Sequence, residues 1–214
     1  MSKYKYLNRL PLTLLLSYLL ILAIGCKKQG SPEPTADDLI VDGWSEFEQG
    51  NYPVADDLFN DALTLDNTSG EGYAGRAWTK AKLDDLPSAE DNIQLAIDNA
   101  YSEYHVYILM GALHFVAGEY AQTDSIIAPI LLNIQTDWVF SHDMSIGYRD
   151  FIIIEAAALY YLGMHTEIVP LITILDATLQ PDPTVPASWV LEGHQYSTYA
   201  EFLLAVLNRE SNLL

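Results

Sequence analysis

GNYPVADDLFNDALTLDN, residues 50–67, is the stretch whose reading decides the fold. Gly50 and Asn51 read as punctuation: a glycine tolerates the turn that ends one helix, and an asparagine can cap the next. Pro53 then falls in a first helical turn, where a missing N–H costs nothing. Val54, Ala55, Leu58, Phe59, Ala62, Leu63 and Leu65 recur at helical spacing and form one apolar stripe. Working backwards, Thr35-Ala36-Asp37-Asp38 can cap an earlier helix whose apolar positions are Leu39, Ile40, Gly43, Trp44 and Phe47.

Working forwards, the same pattern returns at a fixed interval. Gly43-Trp44 falls on Ala77-Trp78, Asn51-Tyr52-Pro53 on Asp85-Leu86-Pro87, and Phe59 on Ile93. A second step of the same length places Gly111, Gly118, Tyr120, Ile127 and Leu131 on Gly43, Gly50, Tyr52, Phe59 and Leu63. The expected fold is therefore all-α, a solenoid of helical hairpins, with three units over residues 36–134 and a divergent fourth over 148–178. Residues 135–147 form an insertion between units three and four. Pro170 lies inside the second helix of unit four and predicts a kink or a late start there. Pro181, Pro183 and Pro186 mark a loop, and Thr198 to Asn208 reads as a final helix closing the stack, so residues 179–214 are loop and cap.

With Gly50, Tyr52, Ala55, Phe59, Ala62 and Leu65-Asp66 at these intervals, the repeat resembles the tetratricopeptide repeat family. The resemblance implies a right-handed superhelix whose first helices line a concave face that holds partners. It places Ile40, Trp44, Phe47, Trp78, Ile108, Phe115, Tyr160 and Tyr161 on or beside that face. The carboxylate clamp known in the family is not expected, because its places hold Ile40, Trp44, Glu71 and Gly75.

Residues 1–25 have a different character. Lys3, Lys5 and Arg9 precede an apolar run from Leu10 to Ile24, and small residues lead into Cys26, the chain's one cysteine. This is the pattern of a secretory signal peptide; a spanning helix needs about 20 apolar residues, more than this run supplies. Ala23-Ile24-Gly25-Cys26 resembles the lipobox of bacterial lipoproteins, which implies cleavage before Cys26 and lipidation of its sulfur. An exported lone thiol would otherwise be a liability. Residues 26–35 would be the lipidated tether, and Lys27 after the cysteine favours the outer membrane, facing the periplasm.

Loss of residues 1–25 removes Lys3, Lys5 and Arg9 but no acid, taking the formal charge from −19 to −22. Such a surface argues against nucleic acid as a partner, since nucleic acid needs a basic footprint. No phosphate loop, nucleophile turn or metal-spaced histidine pair is present, so neither an enzyme nor a cofactor is expected. The rare cations draw notice. Arg76 and Lys80, four apart on one helix, are expected to pair with Asp42 and Glu46 of the preceding unit and lock the two in register. Alternatively Arg76, Lys80 and Lys82 cradle an acidic partner segment. Taken together, the sequence predicts a lipid-anchored scaffold that binds a protein partner in envelope assembly, secretion or wall maintenance. The other reading is a lipoprotein that binds a glycan on the same aromatic residues.

Overall fold

The computed structural model describes residues 33–211. The signal peptide expected at 1–25 and the lipid site at Cys26 lie outside them. The described chain is an all-α solenoid of helical hairpins. Helices α1 (Ala36–Glu48), α3 (Gly70–Lys82) and α5 (Tyr104–Val116) are the first helices of units one to three, and their starts are evenly spaced. Helices α2 (Tyr52–Leu65), α4 (Leu86–Asp98) and α6 (Tyr120–Leu131) are the second helices and keep the same spacing. Unit four is α7 (Tyr148–Tyr161) with a shorter α8 (Ile168–Leu175), and α9 (Tyr199–Ser211) packs on α7.

Local chemistry sets these boundaries. The Thr35 hydroxyl accepts from the Asp38 N–H, and the Asp38 carboxylate accepts from the Thr35 N–H at 2.9 Å, which satisfies two free donors of α1. Thr198 and Glu201 repeat the device at α9, each at 3.2 Å. Asn51 departs from expectation. Its side chain does not cap α2 but donates to Glu46 at 2.8 Å, tying the turn back to α1. Between the two helices of each unit one residue is left-handed: Gly50, Asp84, Gly118 and Gly163, with φ of 79°, 62°, 79° and 75°. Glycine takes this conformation without a Cβ penalty, and aspartate is among the few side chains that tolerate it. Pro170 sits in the first turn of α8 and produces the late start rather than a kink.

Units one and four end alike. Asp66 after α2 and Asp176 after α8 each accept from the N–H two residues on, at 2.9 Å, in Leu65-Asp66-Asn67-Thr68 and Leu175-Asp176-Ala177-Thr178. Two insertions interrupt the helical order, one before the first helix of unit four and one before the final helix. Before α7, strands β1 (Val139–Phe140) and β2 (Asp143–Gly147) form a hairpin. Before α9, a 3-10 turn at Pro186–Ser188 is followed by β3 (Val190–Leu191) and β4 (His194–Gln195).

The core has two parts. One joins α1 to α6 with Phe140 of the first hairpin and Phe151 of α7. The other joins Ala156 and Leu159 of α7, Ile168 and Ile172 of α8, and Phe202, Leu203 and Val206 of α9. Phe59 of α2 is fully buried, and its ring lies where a Cβ would stand on both Gly43 and Gly75. Small residues at those points allow α1 and α3 to close on one ring.

Candidate functional site: the face of the first helices

The side chains assigned by resemblance to a partner-binding face divide into two groups. Ile40, Trp44, Phe47, Trp78 and Ile108 are buried, at 2–6 % exposure, and are core rather than groove. The β1–β2 hairpin packs on the two tryptophans. Its Phe140, 1 % exposed, enters between the first helices of three units. Trp78 stacks on Phe140 at 4.9 Å, His105 of α5 stacks on it at 4.6 Å, and Trp44 meets it edge-on at 5.7 Å. His142 lies flat on Trp44, with centroids 4.1 Å apart and planes at 3°. Such ring pairs contribute roughly 0.5–1.5 kcal/mol each beyond the area they bury.

Polar ties hold the rings in place. The Trp44 Nε1–H donates to Glu71 at 3.2 Å, and the Trp78 Nε1–H donates to His105 Nδ1 at 3.0 Å. His105 therefore carries its proton on Nε2, which meets the Tyr101 hydroxyl at 3.3 Å. Burial, aided by the nearby His142, pushes the His105 pKa down to about 3, so the ring stays neutral. At the hairpin's edge, His142 Nδ1 donates to Glu48 at 2.7 Å. Lys82, expected to meet a partner, instead bonds Asp143 of the chain's own hairpin at 2.8 Å. That pair is internal structure.

The expected ion pairs are also corrected. Arg76 and Lys80 pair with Asp56, at 3.1 and 2.7 Å, and not with Asp42 or Glu46. Asp56 lies on α2, which packs directly against α3, whereas Glu46 takes up Asn51. One carboxylate shared by two cations across a unit boundary still fixes register. As partly exposed pairs, each contributes only about 0–1 kcal/mol.

Phe115, Tyr160 and Tyr161 belong to the second group, which the hairpin leaves uncovered. Tyr161 is 55 % exposed and stacks on Tyr120 at 4.5 Å; Phe115 leans on both rings, at 5.4 and 6.0 Å. These residues border a cavity of about 260 Å³, completed by Ile153, Ile154 and Ala157 of α7 and by Leu204 and Leu207 of α9. The final helix thus forms a wall of the open groove as well as closing the stack. In the sequence, Leu204 and Leu207 lay within a stretch read only as a final helix closing the stack. Phe140 gave no signal, since a two-residue strand has no periodicity to read.

One buried acid stands apart from both groups. Glu155 of α7 is 3 % exposed, and one of its carboxylate oxygens has no partner. Burial and the adjoining Asp124 carboxylate push its pKa up to about 8, so it holds a proton at neutral pH. Among the described residues no group of three or more His, Cys, Asp or Glu side chains is placed to hold a metal ion. No described helix is long and apolar enough to cross a membrane.

Comparison with known proteins adds no assignment: no protein-family model matches the chain, and no curated protein is significantly similar to it.

Proposed function

We propose that the chain is a lipid-anchored scaffold of the tetratricopeptide type, facing the periplasm, that holds a protein partner and carries out no chemistry of its own. The observation that carries this reading is the open groove bordered by Phe115, Tyr161 and Leu204, in a solenoid whose other first-helix surface is closed by its own hairpin. An exposed tyrosine beside half-buried aromatic rings and an apolar cavity is the kind of feature that anchors protein interfaces. The cavity, about 260 Å³, has room for a single side chain of a partner. Lipid on Cys26 supplies the anchor, and the processes served would be envelope assembly, secretion or wall maintenance.

The test is photo-crosslinking in the native host, with the reactive residue at position 161 and a control at Asp57, an exposed residue of α2. The scaffold reading expects one dominant protein at 161 and none at 57, and release of the chain from the membrane fraction by Cys26→Ser. Equal labelling at both positions, or none at 161, contradicts it.

A further inference from the structure

The closed half of the first-helix face shows what this surface accepts. The occupant there is an extended segment with one aromatic anchor, Phe140, which two neighbouring first helices grip by stacking. Polar residues beside the anchor are tied at the rim, His142 to Glu48 and Asp143 to Lys82. Helix α5 carries the surface onward. Its His105 stacks under the hairpin, and Phe115, near the other end of the same helix, borders the open cavity. The open half offers the same kind of receptor, an apolar cavity of side-chain size between rings.

The charges differ between the halves. The closed half uses Lys82 to hold an acidic residue of the hairpin. No comparable cation is available to the open half, because every Lys and Arg among the described residues is already bound inside the chain. Arg76 and Lys80 hold Asp56, Lys82 holds Asp143, Arg149 holds Glu210, and Arg209 holds Asp176 and Glu210. The surface around the groove is acidic instead. Glu119, beside Tyr120, is bonded to His114 at 2.7 Å and Glu201 caps α9 at Thr198, and neither carboxylate borders the cavity. A formal charge of −19 for the chain extends that field beyond contact range. A second copy of this chain would bring the same surplus of acid.

We infer that the open groove takes a basic segment of another protein, anchored by one aromatic or branched aliphatic side chain in the cavity between Phe115, Tyr161 and Leu204. This rests on the scaffold reading and narrows its partner to one chemistry. The chain's surplus of acid would repel an acidic segment, and attract lysines or arginines flanking the anchor. Electrostatic complementarity of this kind raises the rate of encounter and rejects wrong partners.

Binding of three labelled peptides of equal length to the full chain, followed by fluorescence anisotropy at about physiological salt, where screening acts beyond roughly 8 Å, tests the inference. One peptide alternates lysine with phenylalanine, one lysine with serine, and one glutamate with phenylalanine. The first is expected to bind at least tenfold more tightly than either other peptide. Tyr161→Ser and Leu204→Ser should each weaken it about tenfold, and Asp57→Ser should leave it unchanged. Equal binding of the lysine–serine peptide would show charge adhesion alone, and equal binding of the glutamate–phenylalanine peptide would show no preference of sign; either overturns the inference. So does an unaltered affinity in both groove variants. An acidic or neutral segment crosslinked at position 161 in the host would also overturn it while leaving the scaffold reading intact. A lack of any partner at 161 would remove the scaffold reading itself.

Discussion

At the scale of single residues, the chain tolerates several costly placements, and Glu155 is the clearest. Its carboxyl is buried against α6 beside Asp124 and keeps a proton up to about pH 8, whereas the free side chain loses it near 4.5. Between those values the folded chain binds a proton that the unfolded chain has released. Stability therefore falls as pH rises from about 4.5 to about 8 and levels off above. Glu155→Gln, whose amide can donate to Asp124, should remove that slope. It should also leave the variant more stable than the parent at pH 9, where the parent buries a charged carboxylate beside Asp124. Chemical denaturation across this pH range checks it, and parallel curves for the two proteins would contradict the assignment. Residue-scale reading of the sequence had limits of the same kind. The spacing of Arg76 and Lys80 showed that they share a face, yet the choice among Asp42, Glu46 and Asp56 depended on how closely α2 approaches α3.

At the scale of elements, the helices were legible because each leaves several independent marks. The cap at Thr35, the turn at Gly50 and apolar stripes of helical period all agree, although Gly163, expected inside the first helix of unit four, is instead the left-handed residue just after it. The hairpin left none of these. Val139–Phe140 and Asp143–Gly147 are short and pair only with each other. Their identity as strands depends on the rings they land on, which lie far away in the chain. For the same reason, the period of Trp44 and Trp78 fixed which face they occupy but not what covers it. The hairpin's weight in the fold is measurable. Phe140→Ala should cost about 3–5 kcal/mol, as for other buried aromatic truncations, and shift tryptophan emission to the red as Trp44 and Trp78 meet water. Met144→Ala, at the exposed edge of the same hairpin, should stay within about 0.5 kcal/mol. Equal small effects at both positions, without a spectral shift, would mean that the hairpin is not part of the core.

At the scale of the whole described domain, the two insertions divide the labour of the solenoid. The first turns one stretch of the first-helix surface into core. The second sets back α9, which caps the stack while leaving the groove between Phe115, Tyr161 and Leu204 open. On the proposed scaffold reading, the place where a partner would meet the chain depends on the hairpin remaining closed. Hydrogen–deuterium exchange of the free full chain tests that most directly, because amide protection reports the free energy of opening segment by segment. The account predicts that residues 139–147 exchange as slowly as α3, opening only with the core that Phe140 completes. Fast exchange of the hairpin while α1 and α3 remain protected would contradict it, and would return Trp44 and Trp78 to the binding surface.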